Sequence, residues 1–199
     1  DQDLASDDLY VGIAQISKKE FNLSSLLAQY HGFEFFGNTL VMHPGTYSLQ
    51  ENLIISSDVK IEPGVELVLY PDVNLLVYGN VDILGTALDP VVVRAHSRPF
   101  GSFGIIGNGQ QKARIEYLDL SGGNESFVDG IFLSGGMSIH YTDADLVNVR
   151  IHNNHADDGL NIKYSKVFVT DSFFENNYAD QFDCDFCAGL ISNSVFSVV

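Results

Sequence analysis

Positive charge is scarce in this chain: Lys and Arg together number 10 against 26 Asp and Glu, a formal net charge of −16 over 199 residues. Nucleic-acid binding needs a basic patch and is excluded. Anionic membrane surfaces are excluded too and, unless a cation mediates, so are polyanionic glycans. Cysteine is scarcer still. Cys184 and Cys187 form a single C-x-x-C, too few for a disulfide framework and without the second pair that structural zinc requires. Cys184 is therefore expected to be a buried free thiol, with a Cys184–Cys187 disulfide as the alternative if the turn allows it. No apolar run approaches the roughly 20 residues of a membrane span, so no membrane insertion is expected. The opening "DQDLASDD" lacks the basic and apolar regions of a signal peptide and reads as a processed or trimmed end.

What the chain has in quantity is apolar residues, 45% of the total, enough to fold around a core. The excess acid is then a solvated surface. The apolar residues repeat. "DGLNIKYSKVFVTDSFF" (Asp158 to Phe174) lies over "DQFDCDFCAGLISNSVF" (Asp180 to Phe196) at an offset of 22 residues. Asp158 falls on Asp180, Leu160 on Phe182, Asn161 on Asp183, Ile162 on Cys184 and Phe174 on Phe196. "ADLVNVRIHNN" (Ala144 to Asn154) fits "VFVTDSFFENN" (Val167 to Asn177) at offset 23. "DGIFL" from Asp129 is read as an earlier copy of "DGLNI" from Asp158, and Pro44-Gly45 and Pro63-Gly64 as matching turns. Each unit alternates apolar and polar residues, the period of a strand, with Gly, Asn, Asp and Ser at the turns. Such a unit cannot bury its apolar face alone, whereas stacked coils can. The fold class is all-β, a parallel β-helix over residues 38–199. Residues 1–37 hold an N-terminal segment with one amphipathic helix, "SKKEFNLSSLLAQYHG". Ser17 and Glu20 make its capping box, Leu23, Leu26, Leu27 and Tyr30 its apolar stripe, and Gly32 its stop. Laid across the first coil, it protects an edge open to pairing. The chain stops inside a coil pattern at "SNSVFSVV", so further coils of the same polypeptide are expected there.

The octapeptide "ADQFDCDF" sets three aspartates among apolar groups. Strand alternation resolves this, with Phe182 and Cys184 inside and Asp183 and Asp185 outside. Stacked carboxylates about 5 Å apart repel by roughly 3 kcal/mol at an effective dielectric of 20. They need water, N–H donors or a cation. Asp129, Asp158 and Asp180 are expected to accept backbone N–H bonds at a corner. The functional alternative is calcium held by Asp158, Asp180 and Asp183, with Asn161 and corner carbonyls. Outside, Asn161, Lys163, Asp183 and Asp185 form a candidate ligand-binding strip. Lys163 opposite Asp185 reads as a surface ion pair, since a carboxylate neighbour raises a lysine's pKa and spoils it as a base. His152 and His155 near the corner are turn residues. Phe132 and Tyr164 are candidate sugar-stacking aromatics. "GIIGNG" lacks the spacing of a phosphate loop.

From "NTLVMHPGTYSL" through "VKIEPGVELVLYPD" to "DGLNIKYSK" and "DQFDCDFCAGLISNSVF", the chain resembles pectate-lyase-like right-handed β-helix proteins. More narrowly, it resembles the β-helical region associated with CotH-type bacterial surface and spore-coat proteins. The resemblance covers most of residues 38–199 and implies a right-handed coil that runs on further. It carries no kinase residues. "ADDG" (Ala156 to Gly159) is similar to the Asp-Asp step of polygalacturonase-like hydrolases, but their His-Gly and Arg-x-Lys elements are absent.

Three functions compete. The favoured one is a non-catalytic extracellular or cell-surface module, with polysaccharide as candidate partner. The second is a carbohydrate-active enzyme with Asp183, Asp185 and Lys163 as catalytic candidates. Asp183 and Asp185 are about 7 Å apart on one strand face, a separation suited to an inverting hydrolase. A lyase would need Lys163 or Arg150 as its base. The third is an assembly segment docking onto further coils. No cofactor is required, with calcium the one candidate.

Overall fold

The alternating segments form strands, and the strands wind. The computed structural model describes residues 23–198. It is 61% strand and 2% helix, a parallel β-solenoid of about 7 turns. One face is a seven-stranded sheet whose neighbours are Gly45–Leu49, Val65–Leu69, Val91–Ala95, Leu118–Ser121, Arg150–His152, Phe173–Glu175 and Val195–Ser197. The other two faces share a sheet because Phe103–Glu116 and Gly135–Val147 are long. Phe103–Glu116 pairs first with Leu75–Val77 and then with Val81–Leu84. Among the described residues no helix is long and apolar enough to cross a membrane.

Superposition of successive coils follows the sequence repeat. Asp158 pairs with Asp180, Leu160 with Phe182, Asn161 with Asp183, Ile162 with Cys184 and Lys163 with Asp185. Val169 pairs with Ile191, Ile151 with Phe174 and Phe174 with Phe196. One interior column on what we call the first face runs Leu53, Leu75, Phe103, Met137, Leu160 and Phe182. Its first five members are buried in one continuous core. Burial of each such side chain favours folding by about 1.5–3 kcal/mol, which is how coils unable to stand alone stabilise one another.

The corners have their own chemistry. Asn148, Asp171 and Asn193 share a left-handed backbone with φ of 54°, 53° and 48°, and Asn153 and Asn176 share another at 51° and 53°. Asn and Asp tolerate that region. Tyr141, Tyr164 and Phe186 adopt it as well, at 52°, 51° and 53°. Here the rings stack in a ladder, 4.8 Å and then 5.0 Å between centroids, and stacking offsets the local strain.

At the N-terminal end the helix Leu23–Gln29 buries Leu26 against the core, and Tyr30 and Phe33 join it. The strand Phe33–Phe36 pairs antiparallel with Thr39–Met42, ending the parallel run. The expected capping box, Ser17 and Glu20, lies outside the described residues. At the other end Phe182 and Cys187 pack partly on the core, while Ile191 and Phe196 remain substantially exposed.

Three expectations are corrected. Asp129 is not one coil below Asp158; Gly135 occupies that position. Asp129 and Gly130 both have positive φ, 51° and 82°, and join the antiparallel strands Ser126–Val128 and Ile131–Leu133. "DG" here is a two-residue hairpin turn of the kind that needs positive φ at both central residues, and the hairpin is an insertion into the coil. Pro44-Gly45 and Pro63-Gly64 share a corner but are offset by one position, since Gly45 pairs with Val65. Finally, Cys184 is not a buried free thiol. It stands over Ile162 as expected, but no coil covers it among the described residues, and it forms a disulfide with Cys187 across a Cα–Cα distance of 5.6 Å.

Candidate functional site

Two columns on the outer side of the first face change character along the solenoid. One runs Leu76, Gly104, Ser138, Asn161, Asp183, and the other Ile106, His140, Lys163, Asp185. Both begin apolar, become polar and end acidic. The apolar part is covered by the inserted hairpin. Val128 and Leu133 are buried with Leu76 and Ile106 in a second core cluster, with Ile54, Tyr78 and Ile131 packed against it. At the tip, the Tyr78 hydroxyl donates to Asp129 Oδ2 at 2.7 Å. Burial first, and then the Asp129 carboxylate, raise the Tyr78 pKa and keep the phenol protonated. Because alternate hairpin residues face opposite ways, the cross-strand pair Phe127 and Phe132 is left exposed.

The polar part is hydrogen-bonded across three coils. His140 Nε2 lies 2.9 Å from Asn161 Oδ1, and Asn161 Nδ2 donates to Asp183 Oδ2 at 2.9 Å. Burial lowers the His140 pKa to about 4, so the ring is neutral at physiological pH. With Asn161 Oδ1 accepting, the His140 Nε2 carries the proton. The next outward pair is an ion pair, Lys163 Nζ to Asp185 Oδ2 at 3.1 Å, as the sequence led us to expect. Of the four candidate ligand-binding residues, Asn161 is fully buried and Lys163, Asp183 and Asp185 are half-buried.

Asp158 and Asp180 sit in register at the corner that opens this strip. Asp158 is 3% exposed. The expected backbone N–H bonds are absent: among the described residues neither carboxylate accepts one. Burial raises the Asp158 pKa to about 6, with Asp183, Asp157 and Asp180 adding to the rise. The Ser134 hydroxyl lies close enough to oppose it. Ser134 Oγ is itself buried and makes no formed hydrogen bond. Asp158, Asp180 and Asp183 do not converge into a metal-ligating set; among the described residues no three His, Cys, Asp or Glu side chains do.

Other candidates disperse. Tyr164 has Tyr141 on one face and Phe186 on the other, so no sugar can stack on it. His152 is taken by Asp119 at 2.9 Å and by Asn153 at 2.7 Å. Arg150 pairs with Glu175 and Asp119 on a different face, which removes it as a base for the acidic strand.

Sequence reasoning missed the buried asparagines. Asn154 N and Nδ2 both donate to Asn177 Oδ1, at 3.1 and 2.8 Å. Asn177 Nδ2 donates to Ile151 O and to Gln181 Oε1, and Gly123 N donates to Asn154 Oδ1. Asn52 and Asn74 make a similar pair earlier. Comparison with protein families, curated proteins and solved structures found no match to this chain.

Proposed function

We propose that this chain is a non-catalytic recognition module of extracellular or cell-surface type that binds carbohydrate along the outer side of its first face. Within that reading it is related to the pectate-lyase-like β-helices and the CotH-associated group that its repeats resemble. One observation carries it: a continuous strip of hydrogen-bonded polar side chains, His140–Asn161–Asp183 beside Lys163–Asp185, runs next to a hairpin that holds two aromatic rings in solvent. Polar groups fixed by one another and flanked by aromatics suit a sugar, which offers hydroxyls at its edge and an apolar face. The Cys184–Cys187 disulfide accords with an oxidising compartment. Glycan-array screening followed by calorimetry is the test. Binding lost on Asn161→Ala but kept on substitution of the distant Arg150 supports the reading, and an array with no binder counts against it.

A second reading, a carbohydrate-active enzyme, is favoured by one feature. Asp158 is driven toward protonation while Asp183 accepts a hydrogen bond from Asn161. Carboxyls in such unequal surroundings divide acid and base roles in glycosidases. Reducing-sugar and unsaturated-product assays over a polysaccharide panel distinguish hydrolase, lyase and neither.

A further inference from the structure

Where the strip turns its corner, a hydroxyl braces successive coils, and the last described coil has a disulfide in that place. Ser165 Oγ donates to Lys163 O at 2.8 Å and accepts from Thr142 N at 3.0 Å, so one hydroxyl ties its own turn to the coil beneath. Thr142 Oγ1 makes the same backward bond to His140 O at 3.2 Å. The next corner repeats the device. Ser172 Oγ donates to Thr170 O and accepts from Val149 N, and Ser194 Oγ donates to Ser192 O and accepts from Ser172 N. Lys163 pairs with Asp185 and Lys166 with Ala188, so the turn Tyr164-Ser165 lies under Phe186-Cys187. The rings of Tyr164 and Phe186 stack at 5.0 Å on matching left-handed backbones, in keeping with that register. Cys187 therefore occupies the hydroxyl position. A thiol is a weak donor and a weak acceptor, and here the sulfur is bonded to Cys184 instead.

From this replacement of one brace by another we infer that Cys184–Cys187 is a thiol–disulfide exchange site that sets the order of the strip's acidic end. Among the described residues Cys184 is exposed and Cys187 half-buried, so an external thiolate reaches the Cys184 sulfur first. Attack there forms a mixed disulfide and releases Cys187 as a thiolate. A second external thiolate attacks the external sulfur of that mixed disulfide and releases Cys184. The external thiols are oxidised to their own disulfide, the protein disulfide is reduced, and the protons shed by the external thiols end on Cys187 and Cys184. Exposed disulfides are the ones open to such exchange. After reduction the corner has neither the covalent link nor a hydroxyl. Its bonds to the coil beneath, Tyr164 N to Asp185 O at 3.0 Å and Ala188 N to Ser165 O at 3.1 Å, are left without a brace between them. The Lys163–Asp185 ion pair at the same corner loosens with them. The neighbouring corner keeps Ser194 and is unaffected. The exchange is independent of what the strip binds.

The test is amide hydrogen exchange by NMR on the whole chain, oxidised and then reduced with dithiothreitol, with free thiols counted by mass spectrometry after alkylation. On reduction the Tyr164 and Ala188 amides are expected to exchange at least about tenfold faster. The Asp171 and Val195 amides, which bond Ser192 O and Ser172 O at the neighbouring corner, should stay within about twofold. Cys184→Val combined with Cys187→Ser keeps the apolar column and restores the hydroxyl. With folding checked by circular dichroism, it should match the oxidised protein at Tyr164 and Ala188 whether or not dithiothreitol is present. Cys184→Val combined with Cys187→Ala has neither brace and should match the reduced protein. Equal exchange at Tyr164 and Ala188 in the oxidised and reduced wild type overturns the inference, because the disulfide then orders nothing. Acceleration spread equally over both corners assigns the effect to fraying of the whole last coil and overturns the brace. Thiols that stay free after treatment with oxidised glutathione, or a disulfide that resists dithiothreitol in the folded chain, overturn the exchange site.

Discussion

Two polar corners of this solenoid are equally buried and differently finished. At one, Asn154 and Asn177 bond to each other and to the backbone of Gly123 and Ile151, and both amide oxygens accept. At the other, Asp158 and Ser134 are nearly as inaccessible, but the hydroxyl has no formed bond and the carboxyl is pushed toward its neutral form. The chain can evidently satisfy a buried corner when structure is all that is required. The second corner keeps a carboxyl that burial drives toward its neutral form, at a cost to stability.

Substitutions at the two corners should have opposite signs. The largest effect is expected for Asn177→Ala, which orphans Asn154 N and Asn154 Nδ2; at about 1–3 kcal/mol for each buried group, the loss is on the order of 2–6 kcal/mol by urea denaturation. A loss under about 1 kcal/mol would mean that the asparagine column is ornamental. Asp158→Asn is expected to stabilise the fold at pH 7.5 by roughly 2–3 kcal/mol. The sign follows from linkage. The folded-state pKa of Asp158 is raised to about 6 from 3.8, so the folded protein gains stability as pH falls through that window, and ionisation above it is a penalty that the amide removes. The gain should disappear near pH 4.

His140 sharpens the contrast. Its folded pKa is lowered to about 4 from 6.5, so its contribution is present above pH 6.5 and is lost as pH falls toward 4. In the wild type the Asp158 and His140 contributions oppose each other over that interval and the stability profile should be nearly flat. In Asp158→Asn only the His140 loss remains, and denaturation midpoints should fall steadily from pH 6.5 to pH 4. A flat profile in the variant would show that His140 is not held neutral by the fold. Ser134→Ala should change stability by less than about 1 kcal/mol, because its contact with Asp158 is looser than a well-formed hydrogen bond. Smallest of all is the Lys163–Asp185 pair, for which a double-mutant cycle should give about 0.2–1 kcal/mol, weaker at high salt.

The satisfied part of the molecule was legible in the sequence and the open part was not. Stacking of Leu160 on Phe182 and of Asn161 on Asp183 follows from a repeat in which like residues recur at one spacing, because neighbouring coils impose the same environment on each column. The asparagine pair was also in view, since the "NN" ending at Asn154 aligns with the "NN" ending at Asn177; only its burial went unread. The error over Asp129 has a local cause. An Asp-Gly step serves a coil corner at Asp158 and a hairpin turn at Asp129, and strand periodicity is the same on both sides. With the hairpin unread, its packing on Leu76 and Ile106 could not be foreseen. Nor could the placement of Ser134 beside Asp158. Cys184 was misjudged because its column faces the core, while at the last described coil that core is open.

The central claim is that burial holds the Asp158 carboxyl above the ordinary aspartate range in the free protein. Carboxyl-carbon NMR of the ligand-free chain, followed across pH, reads this directly. The account predicts that Asp158 titrates near pH 6. A midpoint at or below the ordinary aspartate value of about 3.9 would mean that the Asp158 carboxylate is well stabilised in place, and the contrast between the two corners would be lost.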